Sequence, residues 1–307
     1  MINLKKELLF VDYFSKWIDV YKKGAIAVVT MRKYNTTLEW LMNHYKNLLI
    51  KDIDRMKYQE IINEYALTHE KQTTMDFHHQ IKGAIIDAVD EGYISKNPTR
   101  KVIIKGKPPR IKKTKYINQY ELQRLLKALD LNEELNIDWL IFLIAKTGMR
   151  FSEALAITPS DFDFQNQFIT VSKTWDYKFD KGFLPTKNKS SVRKIRVDWQ
   201  TASQFKNLVK DLNDDDPIFI NKKIYNSTVN ELLKRRCLMV EIPIISIHGL
   251  RHTHASILLY NGVSIASVSS RLGHSNMTTT QQIYLHIIQE LENKDIDIIM
   301  RALSTLI

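Results

Sequence analysis

SIHGLRHTHASILLYNGVSIASVSSRLGHSNMTTTQQIY, Ser246 to Tyr284, is the stretch around which the rest of the chain is organised. His248 and Arg251 stand three residues apart, so on a helix they share a face. Ser246 is placed to cap that helix, and the free backbone donors of a capped N-terminus add to the attraction for a phosphate. His274 follows Leu272 and Gly273 at a helix break, and Tyr284 lies beyond it. These residue types at these spacings suit phosphate chemistry.

Taken singly, each of them has a plainer explanation. The chain has 13 tyrosines, and a lone tyrosine in an apolar setting is ordinarily core. Five of the nine histidines fall between residues 248 and 286, a density that raises the question of zinc. The segment has no HExxH pattern, no cysteine and no carboxylate among those histidines, and Arg251 would repel a cation. We therefore expect neither a metal nor another cofactor. His252 and His254 read as core or helix-surface residues, and Ser275 and His286 as structural.

At 307 residues and 44% hydrophobic content the chain is long enough for two domains, each with its own core. No apolar run approaches the roughly 18 residues of a membrane span, and MINLKKELLF lacks the apolar core of a signal peptide. The expected partners exclude a membrane, and the expected location is the cytoplasm. Cys237, the one cysteine, excludes an intramolecular disulfide and reads as a small buried apolar residue. The net charge of +11 calls for an anionic partner, and its distribution is informative. Residues 100 to 115 hold Arg100, Lys101, Lys105, Lys107, Arg110, Lys112, Lys113 and Lys115 with no carboxylate, while the segments on either side are close to neutral.

Organisation follows from periodicity and breakers. Phe10, Tyr13, Phe14, Trp17, Ile18 and Tyr21 recur at helical spacing. Thr30 is placed to cap a second helix carrying Tyr34, Leu38, Leu41, Met42 and Tyr45, and Asp54 a third with Ile61, Ile62 and Tyr65. A fourth is expected from about Thr74, with Phe77, Ile81, Ile85, Ala88 and Val89 inward. Residues 1 to 98 thus read as a helical bundle. Pro98 and the pair Pro108, Pro109 mark residues 99 to 115 as a basic interdomain linker. From Tyr116 a second domain opens with a capping box at Asn118 and Glu121, then an apolar helix from Trp139 to Lys146 ending near Gly148. RFSEALAITPSDFD reads as a further helix in which Glu153 is placed to orient Arg150. FITVS and VRKIRV suggest a small antiparallel sheet, with Lys187 near the turn before its last strand. PIFI, at residues 217 to 220, is apolar but of uncertain type, and Thr228 to Met239 reads as helix.

In this order TGMRFSEAL, TKNKSSVRKI, HGLRHTHAS and LGHSNMTTTQQIY resemble the motifs of the tyrosine recombinases, specifically the phage and conjugative-element integrases. The resemblance spans the whole chain. It implies a mainly α fold with a small antiparallel β-sheet: an N-terminal helical core-binding (SAM-like) bundle over 1 to 98, and an α+β catalytic domain over 116 to 307. It implies Arg150, Lys187, His248, Arg251 and His274 around a scissile phosphate, with Tyr284 as nucleophile. Lys189 rivals Lys187 as general acid, and spacing alone does not decide between them. The implied activity is metal- and ATP-independent DNA cleavage and rejoining through a 3′-phosphotyrosyl link. The implied partners are double-stranded attachment or core sites, a homotetramer on two duplexes, and accessory DNA-bending or directionality proteins, all in a bacterial cell. A chromosome-dimer resolvase or invertase would share every catalytic residue, and a catalytically silent DNA-binding protein would share the fold. Many integrases of this kind have a further small N-terminal domain for arm-type sites, whereas here the bundle begins almost at Met1, which leaves arm-site binding open. The amphipathic tail from about residue 287 docks either on its own domain or, as the resemblance implies, on a neighbouring protomer.

The basic run is either a strap along DNA or a plain solvated linker. If all eight cations meet phosphates, the log-log salt slope of binding steepens by up to about 7. Replacing them by Ser or Gln then flattens the slope measured in a salt titration of duplex binding; an unchanged slope identifies the linker.

Overall fold

Helical periodicity near the N-terminus is realised as four helices, α1 (Phe10–Tyr21), α2 (Val28–Tyr45), α3 (Arg55–Ala66) and α4 (Lys71–Asp90). The structure is a computed structural model that describes residues 7–108, 115–179, 182–186, 188–220, 223–278, 280–281 and 303–304. Lys187, Tyr284, Arg110, Lys112, Lys113 and most of the C-terminal tail lie outside the described residues. The chain divides into two compact units, Met1–Lys112 and Lys113–Ile307.

In the first unit the apolar stripes meet in one core that includes Phe10, Phe14, Leu41, Ile50, Tyr58, Ile61, Phe77 and Ile81. Asp54 caps α3 by accepting from the Lys57 amide. Thr30 is not a cap: α2 begins after Ala27 with no side-chain cap, and Thr30 already lies inside the first turn. Likewise α4 starts at Lys71, so Thr74 is a buried residue of the helix whose hydroxyl donates to the Glu70 carbonyl. Tyr21 and Met42 are exposed although their spacing is apolar, because each sits at the edge of its helix's buried stripe. The first part of the basic run is pinned to this unit. Gln59 both donates to the Ile103 carbonyl at 2.8 Å and accepts from its amide at 2.9 Å. The Lys107 amide donates to the His69 carbonyl, and Val102 and Ile104 pack on the core. Arg100, Lys101, Lys105 and Lys107 are exposed on this held backbone.

The second unit is built around α6 (Ile137–Thr147), preceded by α5 (Gln119–Lys127), whose Asn118–Glu121 capping box is fully formed. Every residue from Asp138 to Ala145 is buried, as expected of a helix that is apolar all round. Around it lie α7 (Phe151–Leu155), α8 (Trp199–Val209), α9 (Asn226–Met239), α10 (Ile247–Tyr260) and α11 (Ile265–Leu272). Cys237 is buried within the same core. RFSEALAITPSDFD is not one helix. It stops at Leu155 because Pro159 follows, and Thr158 and Asp161 form the capping box of a separate 3-10 turn.

A three-stranded antiparallel sheet runs in the order β1 (Phe162–Asp163), β2 (Phe168–Val171), β5 (Arg193–Arg196), with Ile169 opposite Ile195 and Val171 opposite Arg193. A separate hairpin pairs β3 (Lys173–Trp175) with β4 (Phe183–Pro185). PIFI forms no strand, and its Ile218 and Phe219 are buried. Mainly α with small antiparallel sheets is therefore the fold class observed.

Gly148 ends α6 with φ +69°, and a Cβ there would lie 2.7 Å from His254 Cδ2 and 2.9 Å from Leu272 Cδ2. Gly262 has φ +81° with nothing within 4 Å. Gly262→Ala carries only the left-handed backbone cost of about 1–2 kcal/mol. Gly148→Ala adds an overpacking cost of about 1–3 kcal/mol. Urea unfolding of the two variants measures the difference, and equal losses would contradict the packing described.

Candidate active site

Two helix ends meet here. α6 and α11 each finish in a left-handed glycine, Gly148 and Gly273, and each leaves carbonyls without partners inside the helix. Guanidinium groups take most of them. Arg251, buried on α10, donates from Nη1 to the Gly148 carbonyl and from Nη2 to the Leu272 carbonyl, both at 2.7 Å. Arg150 donates from Nη2 to the Gly273 carbonyl at 3.1 Å, and Arg193 from Nε to the Arg271 carbonyl at 2.6 Å. Cations at helix C-termini are also favoured by the helix dipole.

Glu153 organises the arginines. It is buried on α7, where its carboxylate takes Arg150 Nη1 at 2.6 Å on one oxygen, and on the other Arg193 Nη2 and the Arg150 amide, both at 2.9 Å. Burial alone raises its pKa, but Arg193 first and Arg150 next hold it below the usual carboxylate range. Removing one partner from such a buried pair strands a charge at a cost of about 3–5 kcal/mol. Among the described residues, three of the five Arg150 N–H groups are engaged, on Glu153, Ser191 and Gly273. With its side chain 33% exposed, Arg150 also faces outward.

The two histidines join this cluster. Ser246 caps α10 by accepting from the Gly249 amide, which places His248 in the first turn. Its ring packs edge-on against His252, with centroids 4.7 Å apart. Desolvation, then the charges of Arg251 and Arg150, hold its pKa below the usual histidine value. His274 follows Gly273, and its Nδ1 lies 2.7 Å from the Thr280 hydroxyl. Desolvation and then Arg251, Arg150 and Arg193 push it down to about 4. Both imidazoles thus sit neutral in the field of the same arginines, Arg251 and Arg150.

Arg150, Glu153, His248, Arg251 and His274 are therefore brought together. Lys187 and Tyr284 lie outside the described residues, and Lys189 is exposed in the 3-10 turn Lys189–Ser191. Lys115 is exposed in the second unit, and the four described cations of residues 100–107 belong to the first. Two arginines were missed from the sequence, Arg193 and Arg271. A signal for Arg193 exists, because it shares the inward phase of β5 with the buried Ile195, and a cation there needs a buried partner. Among the described residues no three His, Cys, Asp or Glu side chains form a metal-ligand group.

Residues 115–290 match the model of the phage integrase family. The chain is 25% identical to the integrase of Staphylococcus phage L54a, over 94% of this chain and 92% of the relative. It is 26% identical to the prophage ps2 probable integrase of Lactococcus lactis subsp. lactis, over 94% of this chain and 82% of the relative. Its fold is similar to that of the Tn1549 transposon integrase in complex with transposon right end DNA, with a TM-score of 0.73, 19% identity, and coverage of 90% of this chain and 95% of that one.

The histidines also set a pH dependence. His252 and His274 are held near 4 and His254 near 3, against an ordinary 6.5. Below about 6.5 the unfolded chain binds protons that the folded chain refuses, so stability rises with pH in that window. Buried His78 in the first unit, held near 4, acts with the same sign. Urea midpoints are expected to fall steadily as pH is lowered from about 6.5 to 4; a flat profile would contradict the neutral, buried rings.

Proposed function

The chain belongs to the phage integrase family, and from that premise we propose that it is a site-specific tyrosine recombinase that integrates and excises a mobile element by cleaving and rejoining DNA strands. The observation that carries this reading is the convergence of Arg150, Arg251, His248 and His274, from three separate parts of the second unit, into one cationic site with neutral imidazoles. That composition binds a phosphodiester and stabilises the charge that builds on it.

In the proposed reaction the Tyr284 oxygen attacks the scissile phosphorus and the 5′ oxygen of the DNA leaves. A tyrosine with a pKa near 10 is only about 0.1% ionised at pH 7, so its proton must be removed as attack proceeds. His248 is the group for that transfer, since its depressed pKa keeps the imidazole unprotonated. Arg150 and Arg251 direct forked donors at the non-bridging oxygens, where loss of one such donor typically costs roughly 100-fold to 1,000-fold in rate. His274 hydrogen-bonds the phosphate, and Lys187, or Lys189, protonates the departing oxygen. The 3′-phosphotyrosyl product keeps the phosphodiester energy, so the 5′ hydroxyl of a second strand reverses the step. No metal, ATP or other cofactor enters this scheme.

The partners in this reading are double-stranded attachment sites, a homotetramer spanning two duplexes, and accessory DNA-bending or directionality proteins. Arg100, Lys101, Lys105, Lys107, Arg110, Lys112, Lys113 and Lys115 contact DNA phosphates in this reading. The work is done in the cytoplasm, at the nucleoid; among the described residues no helix is long and apolar enough to cross a membrane. Most of the tail from about residue 287 lies outside the described residues, and its docking on a neighbouring protomer is what the family resemblance implies.

Nicked duplexes that release the cleaved strand, tiled across the DNA flanking the gene, test the assignment. Wild type is expected to form a covalent complex seen on denaturing gels, and Tyr284→Phe to bind the same DNA without forming one. Trapping by the mutant would remove Tyr284 as nucleophile, and no trapping by wild type would leave a silent DNA-binding protein.

A further inference from the structure

We propose that His254 and Arg271 are positioning residues for the arginine site: a fixed imidazole and guanidinium pair that seats the end of α6 so that Arg251 and Arg150 are correctly aimed. The inference rests on the site described under Proposed function and adds residues that the reaction scheme does not use.

The geometry is specific. Of the carbonyls at the end of α6, Ala145 is taken by His254 Nδ1 at 2.9 Å, Lys146 by Arg271 Nη2 at 3.3 Å and Gly148 by Arg251 Nη1 at 2.7 Å. Two of these three holds belong to the pair. Arg271 also donates from Nη1 to the Arg196 carbonyl of β5 at 2.8 Å, and from Nε to His254 Nε2 at 2.9 Å. The pair therefore joins α6, α10, α11 and β5 at one point. His254 is buried, and its ring fills the space that a side chain at residue 148 would need, with Cδ2 2.7 Å from the position of such a Cβ. Residue 148 carries the carbonyl that holds Arg251 and lies two positions before Arg150.

Only one state of the ring makes both contacts. A guanidinium is solely a donor, so Nε2 must present a lone pair to Arg271, and the proton must sit on Nδ1, where it donates to Ala145. A protonated ring would set a second donor against Arg271. Desolvation by burial, and then the Arg271 charge, hold the ring in the neutral form, with a pKa pushed down to about 3. The pair is thus a rigid spacer rather than a proton carrier. Misplacement of a reacting group by about 1 Å from a distant substitution costs up to about 100-fold in rate.

Three proteins test this: wild type, His254→Phe, which fills the space without either contact, and His254→Gln, whose amide keeps an acceptor toward Arg271 and a donor. Each is measured in two assays, alongside its thermal unfolding midpoint. The first is single-turnover covalent trapping on the nicked duplexes at saturating protein. The second is binding of inorganic phosphate, followed through the side-chain nitrogen resonances of Arg150 and Arg251. His254→Phe is expected to trap about 10-fold to 100-fold more slowly, with duplex Kd within about 3-fold of wild type and phosphate binding at least about 5-fold weaker. His254→Gln is expected to recover most of both losses, even where its unfolding midpoint is no higher than that of His254→Phe. Wild-type phosphate binding and trapping in His254→Phe would overturn the proposal, as would losses in the two variants that simply follow their unfolding midpoints. If wild type traps nothing, the recombinase reading falls, while the phosphate assay still decides whether His254 positions the arginines.

Discussion

A helix that stops inside a protein leaves carbonyl oxygens that water cannot reach, and each must find a donor. In the second unit two such ends, those of α6 and α11, meet, and the donors are guanidinium groups of Arg150, Arg193, Arg251 and Arg271. The same bonds that close the helices fix the arginines. Stability and site geometry are therefore a single constraint here: the arginines cannot be loosened without exposing backbone, and the helix ends cannot shift without moving the arginines.

So many cations in one place repel each other, and the structure counters this with one buried carboxylate and several carbonyl dipoles. Glu153 joins Arg150 to Arg193. The excess positive charge that remains has two consequences. After desolvation by burial, which is the larger cause, it lowers the pKa values of His248 and His274 further, so that both rings are neutral when no anion is present. It also leaves a field that a DNA phosphate neutralises on arrival, so the site is electrostatically complete only with its substrate. That property suits a recombinase, in which the phosphodiester is both what is bound and what reacts.

Much of this was legible in the chain. The apolar spacing of α1, Tyr21 apart, the capping box at Asn118, the serine cap at Ser246 and the glycine stop at Gly148 are local signals, and each formed as read. The relation of Glu153 to Arg150 was visible for the same reason, since three residues on a helix is a local distance. Errors arose where a local preference met a stronger neighbour. Thr30 has a good capping side chain, but α2 had already begun at Val28, and Pro159 ended a helix that the apolar pattern would have continued. The basic run read as either a strap along DNA or a solvated linker because charge is all that its composition reports, whereas Gln59 and the apolar Val102 and Ile104 tie its first part to the helical unit.

By itself the sequence determined most of the element types, the helix ends that carry a local cap or a glycine stop, the family and the chemical inventory of the site, because those depend on residue identity and on spacings of a few positions. Only the tertiary structure decided which groups are held and by what. Arg193 and Arg271 lie 78 and 17 residues from partners they bond, Arg271 and His254 respectively, and nothing in local spacing links such pairs. Whether an arginine is a solvated surface charge or a buried clamp depends on where unsatisfied carbonyls come to rest, and that is settled only when the helices have packed.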